Sequence, residues 1–258
     1  MERQANRGAM KTGISFLVIL LFLMAQPLSA CFQGTGSYRE ELYAHYIRED
    51  MEQWKGVIDR MEREYARHRE QGLLYDLCFT YYGYIGYLIQ QERDREAKEM
   101  LVRALERSKT LEEILDGRGD ILALRGGLLG YKLVLSKFTA PLVGPKALKY
   151  IRRSQDSRHL YFNCSVEMGN MLFFTPGYLG GQKKKAISYY EDAVNLLEKS
   201  PLKPERHWIY MNTVLLLANA YKETGQQDKA CRLYRGLMEY EPEATWIRED
   251  LYPGCGSN

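Results

Sequence analysis

The sequence predicts an all-α protein, a right-handed superhelix of about four antiparallel helix pairs with no sheet. The first observation is a recurring stripe of small and large residues at spacings of four and then three. It occurs as Ala97, Leu101, Ala104; as Ala147, Ile151, Ser154; as Ala186, Tyr190, Ala193; and as Ala230, Tyr234, Leu237. Such a stripe lies along one face of a helix and recurs only when successive units pack alike. The second observation is a small residue upstream of each of the last three stripes: Gly130, Gly169 and Ala218. Two helices approach closely only where small residues leave room, so each stripe has a first helix before it.

Taken in order, residues 1–30 form a signal peptide. Arg3, Arg7 and Lys11 precede the apolar run "GISFLVILLFLMA", which is too short to span a bilayer and stops at Gln26 and Pro27. The tetrad "LSAC" then resembles a bacterial lipobox, which implies that Cys31 receives lipid and becomes the first mature residue. Residues 31–37, "CFQGTGS", read as a lipid-anchored tether. The implied location is the cell envelope, facing the periplasm. The formal net charge of the whole chain is +3, much of it from the leader. A balance this close to neutral points away from nucleic acid.

Residues 38–70 are strongly charged, with Leu42, Tyr46, Trp54, Ile58, Met61 and Tyr65 near helical spacing. They predict an amphipathic cap of one long helix or two abutting ones. Residues 71–251 hold the repeats. "GLLYDLCFTYYGYIGYLI" opens the first pair, its glycines suiting close crossings. Residues 252–258 read as a flexible tail.

Residues 211–244 resemble the tetratricopeptide repeat: Ala218 and Ala230 hold the small positions, Tyr221 and Tyr234 the aromatic ones, and Pro242 closes the unit. The other copies are divergent, with longer linkers. "FTAPLVGPKALKYI" and "FTPGYLGGQKKKAI" share one plan, which places a five-residue insertion between the helices of two pairs. Pro141 and Pro176 are expected to end the first helix, and Gly180 and Gly181 to permit a positive-φ turn. Leu142, Val143, Tyr178 and Leu179 are expected to tuck back onto neighbouring helices. The second insertion is similar to a loop of the lipoproteins that form the T-component of TRAP-type transport systems, departing from it at Gln182, where that family often has Asp. That likeness implies a ligand-binding accessory role in transport as the alternative to a scaffold.

In tetratricopeptide-repeat proteins the first helix of each pair lines a concave face, with binding groups at its second and ninth positions. The resemblance places Asn163, Asn170, Asn212 and Asn219 there. Four amides on one strip could clamp the main chain of an extended partner segment, with Tyr131 and Phe173 supplying apolar contact. The opposing reading makes the asparagines helix-start residues and ties between repeats. A second candidate surface is the tyrosine set Tyr81, Tyr82, Tyr84, Tyr87 and Tyr131, either core or the lining of a groove for a small apolar ligand. The basic residues Lys183, Lys184, Lys185, Lys146, Lys149, Arg152 and Arg153 read as a solvated face, or as a contact for anionic lipid.

Cys78, Cys164, Cys231 and Cys255 are far apart and without metal-ligand spacing, so buried thiols are the first expectation and a disulfide the second. The four histidines are scattered as well, and no metal site or cofactor is expected. No nucleophile with its base, paired-carboxylate site or phosphate loop stands out. The function expected is a non-enzymatic scaffold that binds a protein partner.

Overall fold

A computed structural model describes residues 33–157, 161–203 and 205–255. The leader and Cys31 lie outside the described residues. Among the described residues there is no strand, and no helix is long and apolar enough to cross a membrane. Helices α1 (Gln33–Ile47) and α2 (Gln53–His68) form the cap. Four hairpins follow: α3 (Gln71–Gln90) with α4 (Asp94–Ile114), α5 (Gly119–Leu135) with α6 (Ala140–Gln155), α7 (Phe162–Phe174) with α8 (Lys183–Glu198), and α9 (Trp208–Glu223) with α10 (Gln227–Tyr240). The all-α superhelix of four pairs is therefore the observed architecture.

Each second helix buries the predicted stripe: Ala97, Leu101 and Ala104; Ala147, Ile151 and Ser154; Ala186, Tyr190 and Ala193; Ala230, Tyr234 and Leu237. The small members let the paired helix come close. At Gly169, for instance, a Cβ would lie 2.7 Å from the ring of Tyr190. The cap is two helices, because the chain breaks at Glu49 (φ 57°) and Asp50 N–H donates to the His45 carbonyl at 2.9 Å. α2 then buries Trp54, Val57, Ile58, Met61 and Tyr65 along one face. α1 already begins at Gln33, inside the segment expected to be a tether.

The two insertions differ in backbone. After α7, Pro176 follows the helix end, Gly177–Leu179 forms a 3-10 turn, and Gly180 takes φ 97°. Gly181 packs against the preceding turn so closely that a Cβ would sit 1.8 Å from the Thr175 carbonyl oxygen. This is why four helix-breaking residues stand among aromatics: they reverse the chain tightly, and Gln182 N–H returns to the Leu172 carbonyl at 2.8 Å. After α5, by contrast, Pro141 does not end the first helix. It sits in the opening turn of α6, where its missing N–H has no intrahelical partner to lose.

The apolar tips are not tucked back. Leu142 is 84% exposed, Tyr178 88% and Leu179 65%, and only Val143 is half-buried. The turns of the flanking hairpins, 91–93 and 224–226, are short, so no neighbouring backbone rises far enough to cover the longer ones.

The array also closes on itself. Trp208, at the start of α9, packs edge-on against Trp54 of α2 with centroids 5.2 Å apart. Both rings lie over Gly83 of α3, where a Cβ would stand 2.8 Å from each. α1 ties the ends together: Tyr43 Oη donates to Glu241 at 2.8 Å, and Trp246 Nε1 donates to the Ile47 carbonyl at 3.1 Å. Cys231 and Cys255 form a disulfide that joins α10 to the turn Tyr252–Cys255. Of the expected flexible tail, residues 252–255 are thus ordered and cross-linked, while Cys78 and Cys164 are buried free thiols.

Gly83→Ala should destabilise the fold by about 1–3 kcal/mol, because its methyl must displace two packed indoles. Gly130→Ala, in a helix with nothing within 4 Å of the added carbon, should be neutral or stabilising by up to about 1 kcal/mol. Urea denaturation of both variants measures the contrast.

Candidate functional site

Closure decides where the predicted site residues fall. The starts of α5, α7 and α9 meet α3 around a cavity of about 30 Å³, lined by Tyr82, Asn163, Glu167, Trp208 and Asn212 among others. That is the volume of about one water molecule and too small for a peptide side chain. Asn163 is buried and donates to the Asp120 carbonyl at 2.6 Å, holding α7 to the start of α5. Asn170 accepts from Tyr190 Oη at 2.8 Å and donates to Tyr82 Oη at 3.3 Å, linking α8 and α3 to α7. Asn212 is half-buried and Asn219 exposed. The four amides therefore do not form one accessible strip, since the first two are committed to neighbouring helices.

The tyrosines do not line an open groove either. Tyr81 Oη donates to Glu62 at 2.7 Å, Tyr84 Oη to Glu96 at 3.4 Å and Tyr87 Oη to Glu52 at 2.8 Å, which fastens α3 to α2 and α4. Tyr82 and Tyr131 stack on each other at 4.9 Å, with the Tyr131 hydroxyl over Gly86.

An open cleft of about 570 Å³ lies between the end of α7 and the second half of α9. Phe173, Phe174 and the turn Thr175–Gly177 form one side, with Asn219 and Glu223 opposite and Lys183 between them. Lys183 Nζ bonds Glu223 at 3.0 Å and lies 5.0 Å from the centre of the Phe173 ring. Phe173 is buried and props the exposed Phe174 edge-on at 5.1 Å. The cleft thus joins an aromatic wall, an amide with both donor and acceptor, and an ion pair whose charges stay near water. It brings together Phe173 and Asn219 of the predicted set, leaving Tyr131, Asn163 and Asn170 in the interior. Phe174, Lys183 and Glu223 were not anticipated as a group, because Glu223 lies 40 residues from its lysine. Among the described residues no cluster of three His, Cys, Asp or Glu side chains could hold a metal.

The interior network holds one carboxylate, Glu167, 4% exposed and lying against Gly127, where a Cβ would be 2.6 Å away. Burial pushes its pKa up to about 7, only partly offset by hydrogen bonds from Tyr82 and Asn170, both neutral. The folded state thus holds a proton that the unfolded chain releases near pH 4.5. The resulting stabilisation is complete below pH 4.5 and is lost as the pH rises through about 7. Glu167→Gln should flatten this dependence and, above pH 7, stabilise the fold by on the order of 3 kcal/mol. Urea midpoints measured between pH 4 and 8 give the comparison.

No protein-family model matches the sequence, and no curated protein does. Solved structures are similar, two of them as follows. One is a thermophilic TPR protein of Thermus thermophilus, with 16% identity over 84% of this chain and 98% of that one, at a TM-score of 0.54. The other is the HusA haemophore from Porphyromonas gingivalis, with 19% identity over 74% of this chain and 96% of that one, at a TM-score of 0.50. At these identities the likeness is one of backbone arrangement, and together with the four helix pairs it shows that the chain has the fold of tetratricopeptide-repeat proteins.

Proposed function

We propose that the protein is a non-enzymatic interaction scaffold, anchored in the cell envelope by lipid at Cys31, whose cleft between α7 and α9 holds an extended segment of a protein partner. The observation that carries this reading is the cleft itself. It pairs an exposed aromatic, Phe174, with the exposed amide of Asn219, between the end of α7 and the second half of α9. A peptide main chain offers the donor and acceptor that one amide can satisfy, and an apolar side chain beside it would cover the Phe174 ring. The charged leader, its short apolar run and "LSAC" support the anchor, and the disulfide fits a chain that reaches an oxidising compartment outside the cytosol.

Partners are to be recovered by cross-linking and pull-down from membranes, then tested against Asn219→Ala and Phe174→Ala. Loss of the Asn219 amide should weaken binding by about 1–3 kcal/mol, while the melting temperature stays unchanged because both side chains are exposed. Binding kept at full strength by both variants would remove the cleft from the function. On membranes washed with high salt, Cys31→Ala should be released while the unaltered chain stays. An unaltered chain that washes off with salt as the variant does would show peripheral attachment instead.

A further inference from the structure

The tips of the second and third hairpins share a chemistry that the partner cleft does not use. Phe138 is 99% exposed, and Leu142, Tyr178 and Leu179 stand out with it. They lie at the same end of the molecule, because α5 and α7 pack side by side and run parallel: Asp120 meets Asn163, and Gly127, further along α5, meets Glu167, further along α7. Continued to the helix ends, this parallel course brings the turn carrying Phe138 and the turn carrying Tyr178 out on one side of the array.

Around these side chains the unpaired charge has one sign, since Glu223, across the cleft from Pro176 and Gly177, is bound to Lys183. Residues 121–155 and 168–190 contain no Asp or Glu. Lys137 adjoins Phe138, Lys146 stands one helical turn behind Leu142, and Lys184 and Lys185 follow the second tip; all four are exposed. Among the described residues no ion pair uses them, whereas Lys183 is held by Glu223. The flanking tips are different in kind: "QQERDRE" and "ETGQQDK" are polar and carry both charges. Water-facing aromatics ringed by unpaired lysines match the interface of an anionic bilayer, where rings enter the acyl boundary and ammonium groups stay with the phosphates. A protein groove would have to supply a matching cluster of carboxylates as well as an apolar socket.

We infer that the paired tips of the α5–α6 and α7–α8 hairpins are a membrane contact in their own right, inserting Phe138, Leu142, Tyr178 and Leu179 into the headgroup region of a bilayer rich in anionic lipid. This contact is independent of the partner cleft and of lipid at Cys31. It would fix the orientation of the scaffold at the surface, which a single N-terminal tether leaves free.

The test is a local one, made on the full chain without reductant and with Cys31→Ala, so that with Cys78 and Cys164 buried and Cys231 bonded to Cys255 the introduced thiol is the accessible one. Phe138→Cys, Tyr178→Cys and the control Glu92→Cys are each labelled with an environment-sensitive fluorophore and mixed with vesicles of phosphatidylcholine, with or without phosphatidylglycerol. Whatever else holds the chain at the vesicle, each label reports its own position. Positions 138 and 178 should shift to the blue and be quenched by brominated acyl chains on anionic vesicles, while position 92 does neither. Lys137→Gln and Lys146→Gln should each weaken the anionic-lipid dependence by about fivefold. Labels at 138 and 178 that stay in water on vesicle-bound protein, or a chain that ignores anionic lipid altogether, would overturn the inference. So would burial of these positions in cells by cross-linking to a protein while vesicles leave them wet.

Discussion

The meeting of Trp54 and Trp208 over Gly83 is the contact on which the remaining geometry depends. A stack of helix pairs with slightly different crossing angles would leave the first helices lining an open trough. Here two indoles, almost wholly buried, draw the start of α9 onto α2 and α3, and the absence of a side chain at Gly83 lets them do so. α1 then needs only a few bonds, from Tyr43 and to Trp246, to join the two ends of the array.

Closure converts a binding face into a core. Polar side chains that would have faced a ligand must find partners inside, since a buried amide or carboxylate without them costs more than most single packing contacts contribute. The network of Tyr82, Asn170, Glu167 and Tyr190 meets that need across three first- and second-position helices. Glu167 is accommodated at the expense of its charge, with Gly127 giving it space. Asn163 is hidden where the starts of α7 and α9 meet α3, and the cleft opens between the far ends of the same two helices.

The two long turns show how one sequence plan yields two backbones. "APLVGPKA" can begin a helix because Pro141 falls in a first turn, whereas "TPGYLGGQ" cannot, because Gly177, Gly180 and Gly181 favour a reversal. Both nonetheless push apolar side chains beyond their shorter neighbours, to one end of the molecule and into lysine-rich surroundings.

The sequence by itself determined the helix pairs, because the small-large stripe is a local, periodic signal that any packing of the pair must satisfy. It also determined the breaks at Pro176, Gly180 and Gly181, which are set by backbone sterics within a few residues. It did not decide which asparagines face a ligand, since Asn163 and Asn219 are the same residue type on similar helices. Their difference arises from whether another helix, remote in sequence, arrives at that face. The Cys231–Cys255 bond and the Lys183–Glu223 pair were hidden for the same reason. Whether the apolar turn tips would fold back was likewise left to the tertiary structure, because it depends on the height of neighbouring turns, and these are too short to cover them.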